Sequence, residues 1–236
     1  MDGFKKMVCN FGDFCEVLTE SGFSMSGGNA HGIFTAIPVG WENQQFSDSP
    51  IRWHTGKPDT DPWEWRMRVL AERNDVAYAK MFFGVGGFIT KEWYPYFYAM
   101  RRSLSFGEEY RRGTVTNAAK RIYDTINAYG LLAVHEIKRF GGFGRDEKST
   151  FERALIELQM QMAITACGQK QRQTKNNKPY GWPVTVFCTP EDFWAARGMT
   201  LADMDPVISE EKILEQIYHI NPDAEKNNAL KFIRGR

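Results

Sequence analysis

The chain has 236 residues, a formal net charge of +1 and 25% charged residues, enough for one large domain or two small ones with a real core. Near-neutral charge excludes a binder that works through global positive charge, so any nucleic-acid role has to rest on local cations. Its longest apolar runs, such as Met81-Phe82-Phe83 and Gly130-Leu131-Leu132-Ala133-Val134, are far short of the ~20 residues of a membrane span, and no apolar stretch follows the N-terminal cations as a secretory signal would require; a cytoplasmic protein without a membrane partner is expected.

Asn10 to Ser21 reads as a helix, with Phe11, Phe14, Cys15 and Leu18 on one face and Gly22 as its stop. From Ser24 to Pro58 the chain is rich in Gly, Ser, Asn and Pro and is expected to be irregular, interrupted by one strand-like run, Gly32 to Val39. Asp61 as N-cap and Pro62 in the first turn predict a helix over Trp63 to Arg73, ended by Asn74. Val76 to Phe83, a glycine turn at Gly84 to Gly87 and Phe88 to Thr90 predict a β-hairpin, followed by a helix from Lys91 to Arg102 that Pro95 starts late.

Thr114 to Tyr129 carries Val115, Ala119, Ile122, Ile126 and Tyr129 on one stripe, with Gly130 at its C-terminal end. A shorter helix, Ala133 to Phe140, and a turn at Gly141 to Gly144 follow. Ser149-Thr150-Phe151-Glu152 fits a capping box, and Phe151, Leu155, Leu158 and Met162 then form one apolar stripe. Ala163 to Cys167 reads as a strand, Gly168 to Lys178 holds four cations and no acid, and Val184 to Phe187 supplies the return strand after Tyr180-Gly181-Trp182-Pro183. Pro190 opens a short helix, and Ser209 to Ile220 and Pro222 to Ile233 form a helical tail whose apolar spacing suits packing on the body.

This order predicts an α+β fold, mainly helical, with winged-helix units (helix-turn-helix plus β-hairpin wing), two in tandem. The expected divisions are 1–112, a winged-helix-like region with an irregular 24–60 segment; 113–188, a winged helix with a long basic wing; and 189–236, the helical tail.

In a winged helix the last helix of the triad enters the major groove and the wing touches adjacent backbone. Arg145, Lys148, Ser149, Thr150 and Arg153 are the groove or phosphate candidates, and Lys170, Arg172, Lys175 and Lys178 the wing candidates, gaining by counterion release. Any exposed hairpin tip is polar, however, and a protein-contact role for Tyr180 and Trp182 stands beside the nucleic-acid one. Gln159 and Gln161 fall about 200° apart on a helix and read as helix-surface residues that cannot converge.

The run from Trp53 to Trp65 combines a neutral-range imidazole, carboxylates and large aromatics, the equipment for stacking a flat ring and moving a proton beside it. His54, Asp59 and Asp61 are the catalytic candidates, with Trp53 and Trp63 stacking a flipped base; the competing reading makes Asp61 a helix cap and His54 a satisfied surface residue. Cys9, Cys15, Cys167 and Cys188, with His31, His54, His135 and His219, show no metal-ligand spacing and read as thiols without metal. Gly84-Val85-Gly86-Gly87 lies in a hairpin rather than before a helix, so no nucleotide cofactor is expected, and serine-hydrolase and HExxH patterns are missing.

Trp53-His54-Thr55-Gly56, Asp61-Pro62-Trp63-Glu64-Trp65, Gly87-Phe88-Ile89, Ala154-Leu155-Ile156-Glu157-Leu158-Gln159 and Pro179-Tyr180-Gly181-Trp182-Pro183 together resemble the bacterial AlkZ-related proteins, over residues 10–195. These are relatives of the tandem winged-helix AlkZ/YcaQ alkyl-DNA glycosylases. The resemblance implies a DNA-repair role, a cradle of winged helices for double-stranded DNA, and hydrolysis of the N-glycosidic bond of a damaged base without metal or cofactor. In the glycosylases a Gln-x-Gln near the N-terminus touches lesion and water; here the first half holds only the adjacent Gln44-Gln45, so no catalytic residue is carried over. A non-enzymatic winged-helix transcriptional regulator or architectural DNA binder is the alternative.

Overall fold

The computed structural model describes residues 7–37, 39–40, 48–102, 104–174, 176 and 178–235; Gln44, Gln45 and Lys175 lie outside them. In chain order the elements are α1 (Phe11–Ser21), β1 (Phe23–Met25), α2 (Pro62–Glu72), β2 (Val76–Phe82), β3 (Val85–Thr90), α3 (Tyr94–Arg101), α4 (Phe106–Arg111), α5 (Asn117–Tyr129), β4 (Leu132–Ala133), α6 (Val134–Phe140), α7 (Lys148–Met160), β5 (Thr165–Lys170), β6 (Val184–Cys188), α8 (Pro190–Ala195), α9 (Pro206–Ile220) and α10 (Lys226–Arg234). They make an α+β architecture of two compact units, residues 1–103 with 202–236 and residues 104–201. The units divide the chain at 103/104 and 201/202. No helix among the described residues is long and apolar enough to cross a membrane.

In the first unit α1 starts behind Asn10, whose side chain accepts from the Asp13 amide, and stops at Gly22 in the left-handed conformation, φ 85°. A Cβ at Gly22 would lie 2.2 Å from the Trp93 ring, so both the backbone angle and the packing require glycine. The strands run antiparallel in the order β1-β3-β2. Phe82 pairs with Val85 across a two-residue turn of Phe83 and Gly84, both at positive φ (51° and 74°), the type I′ geometry that matches strand twist.

The expected glycine turn is therefore shorter than the sequence reading, and Gly86 and Gly87 are strand residues. Their place in β3 follows from close packing: a Cβ on Gly87 would sit 2.2 Å from the Phe82 ring. The strand-like run from Gly32 to Val39 is also corrected, since Thr35 makes only an isolated bridge to Met25. Side chains satisfy part of its backbone instead, Asn221 donating to the Gly32 and Ile33 carbonyls at 2.7 Å each and Ser24 Oγ accepting from the Ala36 amide. β1, a three-residue strand without alternation, overlaps the start of the segment expected to be irregular.

The first unit's core is aromatic. Trp65 is fully buried and stacks on Phe14 at 5.0 Å. Phe82 lies flat on Phe232 of α10 at 3.8 Å, with Phe23 and Phe97 around the pair. Arg101 is buried with them, its guanidinium donating to the carbonyls of Met81, Phe232 and Ile233; desolvation pulls its pKa down to about 9.

Beyond α2, Arg73 grips Asp75 at 2.6 Å and holds its carboxyl below the usual range, against the opposing effect of burial. A depressed carboxyl pKa contributes stability above the unfolded value and loses it as pH falls through the folded one. The stability advantage of the wild type over Asp75→Asn is thus expected to be full at about pH 6 and to shrink progressively as the pH falls below the ordinary carboxylate value of ~3.9, read by urea denaturation.

In the second unit β5 and β6 form an antiparallel hairpin and β6 also pairs with β4, giving the order β5-β6-β4. A bridge between Gln173 and Pro179 extends the hairpin towards its tip. Phe151, Leu158, Ile122, Ile126, Ile137 and Phe187 fill the core. The capping box expected at Ser149 is not formed, because α7 begins two residues earlier, behind Glu147. The Glu147 carboxylate is engaged upstream, accepting from the Gly144 amide and from Arg121 at 2.6 Å, while Arg121 also reaches the Gly141 and Gly142 carbonyls. A capping box does exist at Ser105 and Glu108, starting α4, which the sequence reading passed over.

Candidate functional site

The first unit brings several of the nominated residues together in front of α2. Asp61 is fully buried and caps the helix. Its Oδ1 accepts from the His54 and Trp63 amides and its Oδ2 from those of Thr55 and Gly56, at 2.7 to 3.1 Å. One carboxylate thus folds the 54–56 loop around itself and holds His54 at φ 59°, a conformation unusual for a residue with a side chain. Gly56, at φ 70°, completes the loop.

His54 is exposed, and its ring lies 4.8 Å from Trp63 and 6.2 Å from Trp53. Trp53 is anchored by its Nε1, which donates to the Val39 carbonyl, and by a Gly27 that leaves no room for a Cβ beside the indole. Asp59 stands apart on the surface, 3.6 Å from Arg68 and 71% exposed. His54, Trp53 and Trp63 therefore share one face, with Asp61 beneath it as an anchor, and Asp59 is not brought into the group.

The residues the sequence reading missed are on the same face. Arg66 lies one helical turn after Trp63, with its guanidinium carbon 3.4 Å from the centre of the indole and its Nε donating to the Trp63 carbonyl at 2.7 Å. The Tyr78 hydroxyl, pushed up by burial, has Arg66 within hydrogen-bonding reach working in the opposite direction. The i, i+3 spacing of Trp63 and Arg66 was the available signal, since such pairs meet on a helix surface.

In the second unit Arg145, Lys148, Ser149, Thr150 and Arg153 are all exposed around the start of α7. The three cations have no ion-pair partner among the described residues. The hairpin cations are less uniform. Lys170 is held by Glu136 at 2.7 Å, Arg172 is half-buried, and Lys178 is exposed.

Burial raises the Glu136 carboxyl, but Lys170 and the Ala133 amide outweigh it and leave it below its usual range. Burial also lowers His135; Glu136 opposes, and Arg172, Lys170 and Arg139 add to the lowering. The hairpin base is therefore a positive surface in which one cation is already spent on a carboxylate. Further out, Trp182 is 86% exposed.

Gln159 is not a helix-surface residue as expected: it is 4% exposed and its Nε2 donates to the Leu155 carbonyl at 2.8 Å, one turn back, because it flanks Leu158 on the packed face of α7. Among the described residues no group of three His, Cys, Asp or Glu is placed to hold a metal ion.

Comparison with known proteins finds no curated protein and no solved structure that matches the chain. A family model described as AlkZ related does match, from residue 8 to residue 234. Covering nearly the whole chain, including both units and the faces just described, that match places the protein in the AlkZ-related family.

Proposed function

We propose that this protein binds double-stranded DNA in a repair role through two winged-helix units in tandem. The observation that carries the reading is the second unit's order, α5-β4-α6-α7-β5-β6 with β4 paired to β6, joined to the unpaired cations at the start of α7. Helix, strand, two helices and a hairpin whose last strand takes up the first strand is winged-helix topology, and in it α7 is the groove-reading helix and β5–β6 the wing. The first unit repeats the order as α1-β1-α2-β2-β3, with β1 paired to β3 and no middle helix among the described residues between β1 and α2. In that repeat α2 corresponds to α7. Arg145, Lys148 and Arg153 take phosphates, Ser149 and Thr150 lie at the groove, and Arg172, Lys175 and Lys178 extend the contact along the wing. Lys170 contributes less, being spent on Glu136.

Membership of the AlkZ-related family supports the repair theme, and the reaction that fits it is hydrolysis of the N-glycosidic bond of a damaged base, with His54 and Asp59 beside the substrate. A second reading, a binder without chemistry, is favoured by Asp61: a carboxylate accepting four backbone amides has no lone pair poised for a water. Abasic-site formation on alkylated duplex separates the two.

Binding is tested by the salt dependence of duplex affinity. Replacing Arg145, Lys148 and Arg153 with alanine is expected to reduce the slope of log K against log salt by about 2 to 3 and to weaken binding more than tenfold at ~0.1 M salt. A wild type that fails to bind duplex, or a triple variant with an unchanged slope, would overturn the reading.

A further inference from the structure

The aromatic face on α2 contains a cation that the DNA-binding reading has not used. Arg66 is half-buried, has its guanidinium over the Trp63 indole, donates through Nε to the Trp63 carbonyl and has Tyr78 as a neighbour. Neither neighbour is a carboxylate, and Arg66 forms no ion pair among the described residues. A guanidinium has five N–H donors in a rigid fork, so most of its donor edge is left for a ligand.

The surroundings hold this fork still. Tyr78 is 7% exposed, and a Cβ added to Gly86 would fall 2.8 Å from its hydroxyl and 2.7 Å from Ser26 Oγ. The Tyr78 hydroxyl is therefore wedged against β3. A planar cation, fixed against an indole and lacking a carboxylate, is preorganised for an anion that accepts two parallel hydrogen bonds.

We propose that Arg66, backed by Trp63 and oriented by Tyr78, is a phosphate-binding site of the first unit that grips the backbone of the bound DNA. The inference rests on the DNA-binding reading and adds a contact to it, on the helix that occupies in the first unit the position of α7 in the second. The indole face under Arg66 is already covered, so Trp63 serves here to carry the cation. His54, at the edge of the same stack, remains exposed beside the phosphate.

Full-length Arg66→Gln and Arg66→Lys variants test this by anisotropy with a labelled duplex over a salt series. Arg66→Gln is expected to weaken binding roughly tenfold and to lower the salt slope by about 0.9, the signature of one lost phosphate contact. Arg66→Lys is expected to keep the slope and lose affinity, because an ammonium keeps the charge without the fork. Near-UV circular dichroism reports whether each variant retains the tryptophan packing. If Arg66→Gln does not fold, Arg66→Lys decides: lower affinity at unchanged slope supports the site, and wild-type affinity refutes it. A duplex bound normally by Arg66→Gln but poorly by the triple variant of α7 defeats this inference alone; a wild type that binds no duplex defeats the DNA-binding reading with it.

Discussion

Asp61→Ala is expected to cost about 3 kcal/mol or more and to loosen the 54–56 loop. The cap interaction alone is worth ~1 kcal/mol. Three further amides, those of His54, Thr55 and Gly56, turn towards the same buried carboxylate, and each donor left without a partner adds about 1 kcal/mol or more unless water reaches it. His54, held at positive φ only by this arrangement, is expected to relax and move off Trp63, so tryptophan fluorescence should change along with the urea midpoint. Asp61→Asn keeps one carbonyl acceptor and should lie between the two. A loss below about 1 kcal/mol for the alanine variant would mean that water replaces the carboxylate and that the loop does not depend on it.

Gly87→Ala is expected to be of similar size, about 3 kcal/mol, from a single methyl group. Its Cβ would meet the Phe82 ring at 2.2 Å and the Ser24 carbonyl oxygen at 3.2 Å. The ring cannot swing away, being fully buried, stacked on Phe232 at 3.8 Å and edge-on to Phe97 at 5.6 Å. Overpacking of this kind costs ~1–3 kcal/mol when the neighbours can shift and more when they cannot. The mechanism is checked by a double-mutant cycle with Phe82→Leu, which removes the obstructing ring: the two losses should add to more than the loss in the double variant. Additive losses would show that Gly87 acts through its backbone and not through Phe82.

Local signals were read well where the cause is local. Asn10 and Gly22 bound α1, Asp61 and Pro62 start α2, and Gly130 ends α5, since capping needs only a few consecutive residues. The failures share a different cause. Glu147 rather than Ser149 precedes α7 because Arg121, on another helix, engages its carboxylate. The run from Gly32 to Val39 has the composition of a strand, yet Asn221, distant in sequence, takes two of its carbonyls. Lys170 has the sequence context of the other wing cations, but Glu136, distant in sequence, pairs with it.

The candidate site divides in the same way. Residue types and spacing were sufficient to nominate Trp53, His54, Asp61 and Trp63, and to mark the cations from Arg145 to Arg153, because clustering of aromatics and charges is visible in one dimension. Composition and hydrophobic period likewise determined the α+β class and the identity of most helices, since burial of an amphipathic face depends on the order of residues alone. Which of those groups are spent and which are available was decided only by the fold. Asp61 is consumed by four amides, whereas Arg66 is left on an indole without a counter-charge. The reason is that a polar group's capacity to act on a ligand is what remains after its neighbours in space have been satisfied, and the neighbours come from the 54–56 loop and from β2, which only tertiary structure brings to α2.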